Sequence, residues 1–118
     1  MTLPHPLPDD LVELIARRLH VVAEPNRIRL LDHLRDGELS VNELSARLGA
    51  GQQNVSKHLS LLTEAGILAR RKDGNHVYYR IVDDGVFHLC EQVCGSLDQQ
   101  VQTLALVVAG AGSAWEVE

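Results

Sequence analysis

Long hydrophobic runs are missing from this 118-residue chain. No apolar stretch approaches the roughly 20 residues that span a bilayer, and the longest, LALVVAGAG near the C-terminus, falls far short. No membrane partner is expected. Cysteine is scarce as well. Two residues, Cys90 and Cys94, cannot form the framework of a disulfide-stapled fold; in a reducing compartment they would be thiols or ligands. The opening MTLPHPLPDD has Pro and acid where a signal peptide would have Lys or Arg and a long apolar segment, so the expected location is the cytoplasm. Enzyme signatures are also lacking. There is no Ser/His/Asp arrangement at useful spacing, no Gly-rich phosphate loop and no His-Glu-x-x-His, so no catalytic residue is assigned. No internal repeat or low-complexity segment is present.

Positive net charge is absent too, since the chain carries −5. Its distribution is more telling. Residues 41–81 hold six basic and three acidic side chains, a balance of +3, and the remaining 77 residues hold five basic and thirteen acidic ones, a balance of −8. The middle of the chain is therefore the part suited to face an anion.

The length suits one domain around one core, expected over residues 1–109 with a flexible tail at 110–118 that contains Trp115. Residues 9–23 repeat Leu11, Leu14, Ile15, Leu19 and Val22 at helical spacing, with Asp9 and Asp10 where the helix dipole favours acid. Pro25 opens a second helix with Ile28, Leu31 and Leu34 on one face and Gly37 as its stop. SVNE at 40–43 has the form of a capping box and starts a short helix that ends at Gly49. A turn at Ala50-Gly51 leads into QQNVSKHLSLLTEAG, where Leu59, Leu61 and Leu62 are expected to be buried. Two short helices joined by a Gly-containing turn form a helix-turn-helix, expected over about 41–66.

ILARRKDGNHVYYRIV then reads as a hairpin turning at Asp73-Gly74-Asn75, a wing over about 67–82. A last helix runs from about 84 to 109. The fold class is thus mainly α with a small β-hairpin: a winged helix-turn-helix in the order α-α-α-α-β-β-α. In such a fold the N-terminal residues of the second helix of the pair reach base edges in the major groove. Gln52, Gln53, Asn54 and Ser56 are the candidates for base reading, because amide side chains can pair bidentately with adenine. Lys57, Arg70, Arg71 and Lys72 are candidates for phosphate contact. His58 would hydrogen-bond locally or to phosphate, and Asn75 and His76 lie on the wing where DNA would pass. Arg27 and Arg29 face either the DNA backbone or, for Arg27, the fold itself.

With these stretches the chain resembles the ArsR/SmtB family of bacterial transcriptional repressors, over roughly residues 10–105. AEPNRIRLLDHL, LSARLGAGQQNVSKHLSLLTEAGIL and RRKDGNHVYYRI carry the resemblance. It implies a homodimer on an inverted-repeat operator in double-stranded DNA, released by an effector. The family's sensor sites do not carry over. Where metalloid and cadmium sensors have Cys-x-Cys, this chain has Ser40 and Asn42. At the four ligand positions of the zinc sensors it has Asp83, Gly85, Ser96 and Gln99, so one ligand of four survives.

What remains is FHLCEQVCGSL. Phe87, Cys90, Cys94, Leu97, Val101, Leu104 and Val108 follow 3-4 spacing, the pattern of a helical seam. With Leu11, Leu14 and Ile15 of the first helix, this seam is the expected dimer interface, formed by helices over about 9–23 and 84–109. Two thiols one turn apart on one face allow three readings. They pack as small hydrophobes, they bind a transition metal ion such as nickel or zinc as effector, or they sense oxidants. His88 lies close in sequence but projects away from the sulfurs, and His5 could complete a site if the first helix packs on the last. No cofactor is required for the fold. An effector-independent regulator, or a winged helix that binds protein, is the alternative; the polar, basic helix start disfavours the latter.

Overall fold

The computed structural model describes residues 2–111, and the chain divides into two compact units, residues 1–83 and 84–118. The expected tail beyond residue 111, with Trp115, lies outside the described residues. The first unit contains α1 (Asp9–Val22), α2 (Pro25–His33), a 3₁₀ turn (Leu34–Asp36), β1 (Leu39–Ser40), α3 (Val41–Leu48), α4 (Gln52–Glu64), β2 (Leu68–Asp73) and β3 (His76–Ile81). The second contains one helix, α5 (Gly85–Ala111).

The helix ends follow local chemistry. Asp9 and Asp10 occupy the first turn of α1, where the helix dipole favours acid. Glu24 caps α2 by accepting from the Arg27 N–H at 3.0 Å, and Pro25 sits in the first turn, where a missing N–H costs nothing. The expected stop at Gly37 is reached through the 3₁₀ turn, with Gly37 at φ +146°. At α3 the capping box is complete. Ser40 Oγ accepts from Glu43 N at 3.1 Å, and Glu43 Oε1 accepts from Ser40 N at 3.2 Å.

The β-structure is larger than the expected hairpin. β1 adds a third antiparallel strand, in the order β1-β3-β2, pairing Leu39 with Tyr79 and Ser40 with Tyr78. A two-residue strand carries no readable alternation, and Ser40 serves as strand partner and helix cap at once. The hairpin itself pairs Arg70 with Tyr79, Arg71 with Tyr78 and Asp73 with His76. Gly74 takes φ +60° while Asn75 does not go positive, as in a type II′ turn, which suits the right-handed strand twist.

The core of the first unit contains Leu30, Leu31 and Leu34 of α2 and its 3₁₀ extension, Leu44 of α3, Val55, Leu59 and Leu62 of α4, and Ile67, Leu68 and Tyr79 of the sheet. Each fully buried aliphatic side chain contributes roughly 1.5–3 kcal/mol of transfer free energy. Four apolar residues depart from expectation. On α2 the inward positions are Leu30, Leu31 and Leu34, and Ile28 stays exposed. On α4, Leu61 is 36% exposed, because Val55, Leu59 and Leu62 already define the inner face and Leu61 lies about 100° from Leu62 around the helix. Of the α1 stripe only Val22 is buried, and Leu14 and Leu19 remain exposed. Arg18 ties α1 to the end of the winged domain by donating to the Ala65 carbonyl and the Asp83 carboxylate.

Candidate nucleic-acid interface

The turn between α3 and α4 sets how α4 is presented. Gly49 adopts φ +63°, a conformation that side chains resist. The Ala50 N–H donates to the Ser45 carbonyl at 3.2 Å, and the Ser45 hydroxyl donates back to the Ala50 carbonyl. Gly51 then begins α4 with no side-chain cap, so the first backbone N–H groups of the helix stay open at its positive end.

With Val55, Leu59 and Leu62 turned inward, helical geometry turns Gln53, Lys57 and Ser60 outward. Asn54 is also exposed, and Gln53, Asn54 and Lys57 make no side-chain hydrogen bond or ion pair among the described residues. Ser60 is the residue the sequence reading missed; counting 53, 57, 60 along the helix would have found it.

A cleft joins the flank of α4 to the wing. Its walls are Asn42 at the start of α3, Gln52 and Ser56 of α4, and Asn75, His76 and Val77 of the wing. Four of the sequence-predicted residues meet there, together with Asn42, which the sequence had marked only as the place of a missing cysteine. Gln52 Nε2 donates to Asn42 Oδ1 at 2.6 Å, fixing its amide orientation.

His58 and Arg27 point elsewhere. The His58 side chain is 15% exposed, with Nδ1 3.2 Å from Arg27 Nη1 and 3.8 Å from Glu24 Oε2. Arg27 also donates from Nε to the Val21 carbonyl at 2.5 Å, so it braces the fold. Burial pushes the Glu24 carboxyl up, but the Arg27 and Asn26 backbone donors and the His58 and Arg27 charges outweigh it and hold Glu24 below the usual range. Arg29 donates to Asn26 Oδ1 at 2.9 Å and stays exposed.

On the wing, alternation sorts the cations. Arg70 and Lys72 share a face with Val77 and the buried Tyr79, and neither pairs with an acid among the described residues; the cleft itself is bordered by Val77 of this face and His76 of the other. Arg71 lies on the other face. Its guanidinium stacks 4.6 Å from the Tyr78 ring centroid and grips Glu38 with Nε at 3.2 Å from both carboxylate oxygens and Nη2 at 2.5 Å. This hydrogen bond holds the Glu38 carboxyl below the usual range and raises Arg71 above its ordinary value. His76 lies 6.2 Å from Tyr78, ring to ring.

In the second unit, Cys90, Cys94 and His88 are all exposed on α5. Among the described residues no three His, Cys, Asp or Glu side chains gather as a metal site. A closed tetrahedral site needs about four ligands, of which α5 offers the two thiols Cys90 and Cys94 one helical turn apart.

A helix-turn-helix with an open polar helix face, followed by a wing that carries exposed, uncompensated cations, is the architecture of a winged helix DNA-binding protein. Comparison with known proteins narrows this class. A family model described as a helix-turn-helix domain matches residues 22–71. The transcriptional regulator KmtR of Mycobacterium tuberculosis is 38% identical over 86 residues, which cover 73% of this chain and 66% of that protein. The biofilm growth-associated repressor of Agrobacterium fabrum is 35% identical, covering 75% of this chain and 76% of its own, and the repressor SmtB of Mycobacterium tuberculosis is 33% identical, covering 75% and 65%. Among solved structures, M. tuberculosis Rv0081 superimposes with a TM-score of 0.73 at 30% identity, covering 83% of this chain and 99% of its own. The antimony-specific repressor AntR gives 0.73 at 31%, covering 84% and 90%. A homodimeric winged helix-turn-helix domain of Mycobacterium bovis, described as a possible ArsR-family regulator, gives 0.69 at 27%, covering 84% and 92%. The chain belongs to the ArsR/SmtB family of transcriptional regulators. This is a family of DNA-binding proteins and not an enzyme class.

Proposed function

We propose that the protein is a cytoplasmic repressor that binds an inverted-repeat operator as a homodimer. The observation that carries the reading is the shared face of α4 and the wing. There Gln53, Asn54, Lys57 and Ser60 stand outward, Gln52, Ser56, Asn75 and His76 line one cleft, and the adjoining wing carries the exposed Arg70 and Lys72. Gln53 and Asn54 read base edges, Gln52 and Ser56 support them from the flank, and Lys57, Arg70 and Lys72 hold phosphates. His58 acts from within the fold by steadying α4 against α2.

The dimer reading rests on α5, where Leu97, Val101 and Leu104 are 53%, 53% and 46% exposed. They continue the stripe of Phe87, Cys90 and Cys94 at 3-4 spacing, which a second copy would cover. Leu11, Leu14 and Ile15 of α1 are the further candidates for that interface, and the homodimeric structural relative supports the assembly.

The effector acts, in this reading, at Cys90 and Cys94. Two exposed thiols one turn apart suit a thiophilic metal ion or metalloid, with the remaining ligands supplied by the second copy, and likeness to an antimony-specific repressor favours this class. Fluorescence anisotropy of operator DNA with reduced, metal-free protein tests both parts. Tight, salt-sensitive binding is expected, released by one ion of a divalent and metalloid panel. A Cys90→Ser/Cys94→Ser variant that responds like the parent would remove the cysteines from the mechanism.

A further inference from the structure

The three consecutive cations of the wing are not equivalent, and their difference has a functional meaning. Arg70 and Lys72 meet no acid among the described residues, and Arg71 shares its face of the hairpin with Tyr78 and with His76, which lines the cleft beside α4. Arg71, between them, is held from three directions. Its forked N–H groups engage both oxygens of Glu38, its face lies on Tyr78, and Asp73 Oδ2 is 3.7 Å from its Nη1. Glu38 immediately precedes β1, so the contact spans the sheet from β2 across the central strand β3. Arg80 adds its positive charge near Glu38 on the same side.

A carboxylate gripped by the guanidinium fork has the charge and planar oxygen pair that a phosphate would present. The pair is also open to exchange. The Arg71 and Glu38 side chains are 46% and 28% exposed, and solvent-accessible ion pairs of this kind contribute little to folding.

We propose that Glu38 occupies the phosphate-binding fork of Arg71 from within the chain, so that the native wing contacts DNA backbone through Arg70 and Lys72 and not through Arg71. This rests on the DNA-binding reading above and adds an internal brake to it. Glu38 sets the sequence-independent part of the affinity, and with it how readily the protein leaves DNA, while the base-reading face of α4 is untouched.

The test is a cycle of four full-length proteins, native, Glu38→Gln, Arg71→Gln and the double variant. Their affinities for operator and random duplex are measured by anisotropy across a salt series, with circular dichroism to check that each is folded. Freed by Glu38→Gln, Arg71 gains one phosphate contact per protomer. The slope of log affinity against log salt should steepen by about 1.8 in a dimer, and affinity at about 0.1 M salt should rise roughly 60-fold on both duplexes, on the counterion-release scale. The double variant should return to the native slope, and Arg71→Gln alone should leave it almost unchanged. An unchanged slope in Glu38→Gln overturns the inference, and so does a gain that survives in the double variant, which would make it a general effect of removing one negative charge. A slope that falls by about 1.8 in Arg71→Gln alone also overturns it, because Arg71 would then already hold phosphate. Native protein that binds no duplex would overturn the DNA-binding reading together with the inference, whereas salt-dependent native binding with a flat cycle overturns the inference alone.

Discussion

Raising the salt concentration should weaken DNA binding with a slope that counts the uncompensated cations of the interface. Lys57 on α4 and Arg70 and Lys72 on the wing are exposed and have no acidic partner among the described residues. Arg71 is compensated by Glu38 and Asp73, and Arg27 is engaged with the Val21 carbonyl and His58. Three cations per protomer give about six phosphate contacts in a dimer, and at about 0.9 per contact the expected slope is about −5.4. Between about 50 and 200 mM salt that amounts to a loss of roughly two thousandfold in affinity. Had every wing cation been engaged, the slope would be about −7.2. Lys57→Ala should lower its magnitude to about 3.6 on operator and random duplex alike, because a phosphate contact carries no sequence information. Anisotropy at five or so salt concentrations, in buffers of one anion, measures all of this. A native slope near −2, or a Lys57→Ala slope equal to the native one, would refute the assignment of this face to DNA.

Three further outcomes are expected. Gln53→Ala should cost about 1–3 kcal/mol on the operator and little on random duplex; equal losses on both would remove Gln53 from base reading. Ser40→Ala deletes the Oγ that accepts from the Glu43 N–H at the start of α3 while leaving the Ser40 N–H free to donate to Glu43 Oε1, and should lower stability by about 1 kcal/mol, seen as a drop in the denaturation midpoint at constant m-value; no drop would mean that the β1–β3 pairing alone fixes this junction. Glu38 is held below the usual carboxylate range by Arg71, so the stability it contributes is fully present above the ordinary glutamate value of about 4.3 and is lost as pH falls through its own lowered midpoint. Carboxyl NMR titration should place that midpoint below the other exposed glutamates in the native protein and among them in Arg71→Ala.

The sequence made the helices and the hairpin legible because their determinants are local: the Ser40–Glu43 capping box, the glycines at 49 and 74, and the alternating Val, Tyr and Ile of β3. It also made the polar start of α4 legible as an exposed surface. Other features depend on which side chain reaches which distant partner, and spacing alone does not encode that. β1 is two residues long and is defined by Tyr78 and Tyr79 about forty residues away. Leu61 was read with Leu59 and Leu62, although one helical step separates inward from outward. From its position in α4, His58 could bond either locally or to phosphate, and only the folded chain places Arg27 and Glu24 beside it. Arg71 looked equivalent to its neighbours because Glu38 is 33 positions away.

The same separation of local from distant effects explains how an acidic protein can be a DNA-binding one. The chain carries −5 overall, and the balance of −8 outside residues 41–81 repels a phosphate backbone at any distance within about a Debye length, 10 Å at 0.1 M salt. In the proposed reading, only contacts as close as those assigned to Lys57, Arg70 and Lys72 overcome it. Misdocked orientations, which bring the acidic remainder toward DNA, lose those contacts and gain the repulsion. Net negative charge thus works as orientation control and lowers binding to random sequence. Holding Arg71 with Glu38 works in the same direction. It removes one cation from a part of the wing where charge would strengthen binding to every duplex equally, which leaves the side chains of Gln53 and Asn54 a larger share of the total affinity.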